Sequence, residues 1–266
     1  RPSFQFFSVP NRPLLVFDFD GVIVDGMEEY WWSACLACLR LSAADGMRHQ
    51  VPNRVPDGFR QLRPWIHHGW EMVLMASLLQ ERDGLLQRIG VDAFVAAYSE
   101  HCRQALEARD WSPQQLQEAL EHVRHSAMAE DRSTWLNRHR PFAGVPQRLR
   151  SLASEGVDWA VLTTKGRAFT AELLDAFDLQ PALLFGHEAG SKPDVLLRLI
   201  AEQSLCGFVE DRLATLETVL ATPGLRSLPC FLAEWGYLRP SDRQALPQGV
   251  QLLGLTQFAA PLADWT

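Results

Sequence analysis

The spacing of apolar and polar positions changes character twice along the chain. Residues 14–19 read as a buried strand: four apolar residues that run into the aspartates of LLVFDFDG. From about 26 to 140 nearly every stretch has helical spacing and few β-branched runs, which predicts helices over 27–41, roughly 57–80, 92–109 and 113–129. The last of these opens with Ser112 as a cap and Pro113 in the first turn. After RPFAGVPQRLR the pattern becomes a short apolar strand followed by an amphipathic helix, repeated. Strands are predicted at Asp158–Thr163, Ala182–Phe185, Cys206–Glu210, Leu228–Ala233 and Val250–Leu253, with helices at about 145–154, 168–177, 193–202 and 212–221. Such alternation predicts an α/β unit, a parallel sheet covered by helices, built from residues 1–25 and 141–266 and interrupted by an all-helical insert over 26–140.

Ligands of such sheets bind at the carboxyl ends of the strands, so the residues that end each strand carry the chemistry. On a strand over 14–19, Asp18 and Asp20 share one face by the period of two, and Gly21 permits a sharp turn. Two carboxylates this close repel each other and are costly to desolvate unless a cation sits beside them. WAVLTTKG ends in Thr163 and Thr164, AGSKPD places Lys192 before a proline that can open a helix, and CGFVEDR ends in Glu210 and Asp211. Acid, hydroxyl, ammonium and acid at four strand ends describe a phosphate site with a divalent cation. Lysine usage points the same way. Of 25 basic residues only Lys165 and Lys192 are lysines, both at proposed strand ends, where a compact ammonium rather than a planar guanidinium is required.

Length and charge narrow the partners. With 266 residues, 47% hydrophobic and 21% charged, the chain has the composition of one large globular domain or a core with an insert. A formal charge of -7 gives no global reason to bind nucleic acid or an anionic membrane, so an anionic substrate must be held by local positive charge. Five unevenly spaced cysteines do not make a disulfide framework, and the opening RPSFQFFSVP lacks the apolar core of a signal peptide. The most apolar helical stretch, Trp70–Leu79, is far short of the roughly 20 residues that span a bilayer. A cytoplasmic protein with no membrane or nucleic-acid partner is expected, and the missing initiator Met is read as a trimmed N-terminus.

The order DFDGV, a strand ending in Thr, Lys before Pro, and a strand ending in acids resembles the haloacid dehalogenase superfamily. The likeness is to its phosphatase-like members of the phosphoglycolate phosphatase and β-phosphoglucomutase subgroup, which carry a helical cap after the first motif. It covers about 12–25 and 141–260 and the position of the insert. It implies a Rossmann-like, doubly wound core with Asp18 as nucleophile, forming an aspartyl phosphate, and Asp20 as general acid and then base. Thr163 would bond the phosphoryl group, and Lys192 would neutralise it and position Asp18. Mg²⁺ would be held by the Asp18 carboxylate, the Asp20 backbone carbonyl and the Glu210–Asp211 pair, with Asp211 favoured as the direct ligand. Gly21, Thr164, Lys165 and, from the cap, Arg63 are expected at the substrate; Arg54 and Arg60 are further cap candidates. One motif departs from the common pattern, because the position four after Asp211 holds Thr215 rather than an acid.

The function implied is Mg²⁺-dependent hydrolysis of a small phosphorylated metabolite, such as phosphoglycolate or a sugar phosphate. A phosphomutase of the same fold, or a catalytically silent binding protein, are the alternatives. The second aspartate argues against dehalogenation, and the absence of lysine from 26–140 against a phosphonate hydrolase that needs a cap Schiff base. Cys35 and Cys38, His122 and His125, and Trp31, Trp32, Trp65 and Trp70 read as helix packing or solvated faces rather than sites. His67 and His68 read as cap surface.

Overall fold

A computed structural model describes residues 12–42 and 54–265; the opening RPSFQFFSVP lies outside the described residues. The chain divides into two compact units. One contains the residues up to Ile23, Ala143–Gly236 and Asp242 onward; the other contains Val24–Phe142 and Tyr237–Ser241. The periodicity leaves 237–241 with the sheet, yet Tyr237 packs in the helical unit, its hydroxyl donating to Asp25 Oδ1 at 2.6 Å.

The first unit is built on strands β1 (Leu14–Phe17), β4 (Asp158–Leu162), β5 (Leu183–Phe185), β6 (Leu205–Glu210), β7 (Cys230–Ala233) and β8 (Val250–Leu253). They form one parallel sheet in the order β5-β4-β1-β6-β7-β8. The winding reverses between β1 and β6, which puts the switch point beside the carboxyl ends of these two central strands. All four residues of β1 are buried, as a strand paired on both edges and covered on both faces requires. Helices α7 (Val145–Ser151), α8 (Arg167–Ala176), α9 (Lys192–Glu202), α10 (Leu213–Ala221) and α11 (Leu255–Ala259) belong to the same unit.

Two strand boundaries differ from the periodicity by two residues, each for a local reason, and β4, β5 and β6 differ by one. β1 stops at Phe17: the Asp18 amide makes one more ladder bond, to Val209 O at 2.8 Å, and the chain then turns, with Ile23 N donating to Phe19 O and Gly21 at φ 91°. Asp18 therefore follows the strand directly, still paired through its amide, and Asp20 lies in the turn that begins at Phe19. β7 starts at Cys230 rather than Leu228 because Pro229 has no N–H to give the ladder, although its carbonyl accepts from Phe208 N.

The second unit contains α1 (Met27–Ser42), α2 (Asp57–Leu62), α3 (Gly69–Gln80), α4 (Leu85–Ala96), α5 (Tyr98–Arg109) and α6 (Pro113–Leu136). Its two ends are joined by an antiparallel pair of β2 (Val24–Asp25) and β3 (Arg140–Pro141). The single helix expected over 57–80 is broken: Pro64 lies in a tight turn at Arg63–Trp65, and α3 starts afresh at Gly69, with His68 and Glu71 closing a reciprocal cap. The helix expected over 92–109 is two, parted at Ala97. α6 opens as its Ser112-Pro113 signal predicts, Ser112 Oγ accepting from Gln115 N, and runs on to Leu136 past a break at Asp131.

Trp31 packs on Phe59 with ring centroids 5.1 Å apart, and Cys38 Sγ donates to Val73 O, so both belong to the packing of this unit. A cluster of polar groups is buried in it. Glu29, fully buried on α1, accepts two bonds from Arg124 of α6, Nε and Nη2 each at 2.8 Å, and further bonds from Ser33 and the Trp135 indole. Among the described residues no helix is long and apolar enough to cross a membrane.

Candidate active site

The site is assembled from the carboxyl ends of β1, β4 and β6 and the start of α9. Ser191 caps α9, its Oγ accepting from Asp194 N, and Pro193 occupies the first turn, which fixes Lys192 at the helix start. From there the buried Lys192 Nζ donates to Asp18 Oδ1 at 2.7 Å and to Glu210 Oε2 at 2.6 Å. The other oxygen of Glu210 accepts the backbone N–H of Asp211 and of Arg212, both at 3.1 Å. Oxygens of Asp18, Glu210 and Asp211, all buried, lie within 4.8 Å of one another.

Burial and then the neighbouring Glu210 charge push the Asp18 carboxyl up to about 7, against the opposing pull of Lys192. Burial raises Glu210 too, again opposed by Lys192. Burial alone would lower Lys192, but Asp18 and Glu210 together hold it above the usual lysine range. Four carboxylates, of Asp18, Asp20, Glu210 and Asp211, thus face the two ammonium groups of Lys192 and Lys165. The excess of acid is what a divalent cation neutralises, and an all-oxygen donor set suits a hard ion such as Mg²⁺. Both Glu210 oxygens are engaged by N–H groups and Lys192, whereas only Oδ1 of Asp18 accepts from Lys192.

Thr163 follows β4 directly and is buried; its amide donates to Phe185 O at 2.9 Å, and its Oγ1 accepts from Lys165 N at 3.1 Å. Lys165 is buried, its Nζ 3.2 Å from Asp20 Oδ1, whereas Thr164 is exposed. Gly21 is buried in the turn that carries Asp20. Thr215, in the place where an acid is common, is buried near the start of α10, its amide bonded to Arg212 O.

Arg63 belongs to the helical unit. Its guanidinium lies over the rings of Tyr237 and Tyr30, 4.3 and 5.2 Å from their centroids, and its Nη1 donates to Ile66 O. Arg54 and Arg60 are exposed. The rings of His67 and His68 are in tilted contact, centroids 4.3 Å apart, and the backbone amides of both donate to Glu71.

Two residues escape the strand-end reading. A Cβ on Gly236 would overlap Asp211 Cβ and lie 2.6 Å from the Gly21 carbonyl oxygen, so this glycine lets the loop after β7 press on the acid cluster. Beside it, Trp235 donates its indole N–H to Val22 O at 2.9 Å and braces the turn after β1. The signal was there: EWGY follows β7, a neighbour of β6, and strand ends beside a switch point are where ligands bind.

A family profile described as haloacid dehalogenase-like hydrolase matches residues 13–218. Comparison with curated proteins gives no match. Among solved structures the chain is similar to a predicted phosphatase from Clostridium acetobutylicum, with TM-score 0.58 and 14% identity over 93% of this chain and 96% of that one. It is also similar to a predicted phosphoglycolate phosphatase from Haemophilus somnus, with TM-score 0.58 and 15% identity over 93% and 95%. A superfamily hydrolase from Geobacter sulfurreducens gives TM-score 0.51 and 15% identity over 95% and 96%. At these identities the likeness speaks for the fold.

Proposed function

The chain belongs to the haloacid dehalogenase-like hydrolases, and from that premise we propose that it is a Mg²⁺-dependent phosphatase of a small phosphate monoester, acting through an aspartyl phosphate on Asp18. The observation that carries this reading is the Asp18–Lys192–Glu210 bridge beside Asp211, a buried cluster with more acid than base at the switch point of the sheet.

A carboxylate attacks phosphorus only as the anion, and burial works against that form in Asp18. Lys192 draws it back, and Asp18, Asp211 and the Asp20 carbonyl would hold a cation there. The metal, when bound, neutralises the phosphoryl oxygens and orients them. Lys192 does the same from the other side as a point charge, and the Thr163 hydroxyl donates to a phosphoryl oxygen. In the first half-reaction a bond forms from Asp18 to phosphorus as the ester oxygen leaves, taking the proton of Asp20. In the second, water attacks the same phosphorus, gives its proton to Asp20, and Asp18 is released.

The names borne by two relatives, phosphatase and phosphoglycolate phosphatase, support a small phosphorylated metabolite as the substrate class. Five free thiols accord with a reducing compartment such as the cytoplasm. The test is phosphate release from a panel of small esters, with and without Mg²⁺, in the parent and in Asp18→Asn. Mg²⁺-dependent release that disappears in the variant is expected. No release from any ester would overturn the reading, and exchange between sugar-phosphate isomers would then identify a mutase.

A further inference from the structure

The chain has two lysines, and each is paired with one aspartate of DFDG: Lys192 with Asp18 at 2.7 Å and Lys165 with Asp20 at 3.2 Å. The first pair belongs to the phosphoryl site already described. We infer that the second makes Lys165 the positioning residue of Asp20, holding the proton-transferring carboxylate in one orientation; this rests on the reading of Asp20 as general acid and base.

The two partners are held very differently, and that gives the pair its direction. The Lys165 side chain is 3% exposed, against 16% for Asp20. Its backbone is tied on both sides, the amide donating to Thr163 Oγ1 at 3.1 Å and the carbonyl accepting from His187 N at 3.2 Å. The rotamer freedom of a long lysine is therefore already spent by burial. Asp20 sits in the turn after β1, whose backbone is set by Gly21 at φ 91° and whose side-chain direction is left to its polar partners. A fixed ammonium aims a freer carboxylate, not the reverse. In a chain with 23 arginines, a lysine in so enclosed a place fits the space of one ammonium, where a planar guanidinium would need a second acceptor in its plane.

A group that acts through the general acid leaves a distinctive kinetic mark. Proton donation matters for an alkoxide leaving group and hardly at all for p-nitrophenolate, which departs without a proton. A lysine that merely binds substrate, or merely supports the fold, changes both esters alike. The experiment compares the parent, Lys165→Met, Lys165→Arg, Asp20→Asn and the Lys165→Met/Asp20→Asn double variant on p-nitrophenyl phosphate and on an alkyl phosphate.

Lys165→Met is expected to lose at least about tenfold more kcat/KM on the alkyl ester than on the aryl one, because kcat/KM ends at departure of the leaving group, whereas hydrolysis of the aspartyl phosphate, which also uses Asp20, is common to both esters. Lys165→Arg should recover part of the loss, and the double variant should have a kcat/KM no lower than Asp20→Asn alone. Equal losses of kcat/KM on the two esters, or additive losses in the double variant, would overturn the inference. Should Lys165→Met melt below the assay temperature, the same ratio is read from Lys165→Arg and Lys165→Gln. A parent that cleaves neither ester overturns the phosphatase reading and this inference together; a parent that cleaves both, with no leaving-group dependence in the Lys165 variants, overturns this inference alone.

Discussion

The two units each bury a charged cluster, and the clusters differ in balance. In the helical unit Glu29 meets Arg124 through two 2.8 Å bonds, with Ser33 and Trp135 donating to the same carboxylate. One acid faces one guanidinium and, 3.7 Å away, the buried imidazole of His139, and the acid's oxygens are bonded. In the sheet unit Lys192 is shared by Asp18 and Glu210, with Asp211 beside them, and burial drives Asp18 and Glu210 toward their neutral forms. The first cluster pairs its acid and ties α1 to α6. The second holds more acid than base. Burial alone does not mark a functional site; burial with unbalanced charge does.

The comparison breaks most sharply at the bases. Lys192→Met is expected to lower kcat per folded molecule by about 10³-fold or more, because it removes charge from the reacting phosphoryl group, and to cost stability as well, because it strands Asp18 and Glu210. Arg124→Met should cost stability alone. It strands Glu29 without its counter-ion and costs about 3–5 kcal/mol of stability, with kcat per folded molecule unchanged. Steady-state kinetics beside urea unfolding checks both. A large kcat effect in Arg124→Met would mean that the helical cluster is not merely structural.

This contrast explains what could be read in advance. The acids of the core and Lys165 were legible because they follow apolar strands, whose ends are marked in sequence by the first polar residues after an apolar run, and Lys192 because it precedes the proline that opens α9. The parallel sheet followed from strand and helix alternation for the same reason. Pairings were not legible: nothing in DFDG or TTKG says that Lys165 reaches Asp20 rather than a ligand, since that is settled by the packing of two loops. The Glu29–Arg124 pair spans 95 residues between two helices whose spacing reads as ordinary amphipathic faces. The break at Arg63–Trp65 was hidden because apolar spacing runs on past Pro64, although the proline itself was a stop signal.

Metal and pH sharpen the comparison next. The Asp18 carboxyl is raised from 3.8 to about 7, so the metal-free folded protein binds this proton more tightly than the unfolded chain. Its stability should therefore fall as pH rises from about 4 to about 7, by at most about 4 kcal/mol, and level off above. Glu210, also raised, adds in the same direction. Mg²⁺ competes with the proton, so it should raise Tm by several degrees at pH 8 and much less at pH 5. Thermal melts in EDTA and in Mg²⁺ at both pH values measure this. In Asp18→Asn the slope should shrink, whereas in Arg124→Met it should persist.

The smallest effect expected is at Gly236, where only one methyl group is added. Its Cβ would meet Asp211 Cβ and the Gly21 carbonyl, backbone and first side-chain carbon rather than the flexible end of a long chain, so neither neighbour can swing away. Overpacking of this kind costs about 1–3 kcal/mol. The displacement falls on Asp211 and on the turn that carries Asp20, so it is concentrated on the oxygens that would hold the cation. Gly236→Ala should thus lose a modest amount of stability in EDTA and a larger share of the Mg²⁺-induced rise in Tm, with at least about a tenfold weaker Mg²⁺ requirement curve for activity. Gly144, whose added Cβ would meet nothing within 4 Å but whose φ is 81°, is the control: alanine there strains the backbone without touching the acids. If Gly236→Ala and Gly144→Ala lower stability alike and both leave the Mg²⁺ response intact, the loop after β7 is packing and not part of the charge-unbalanced site.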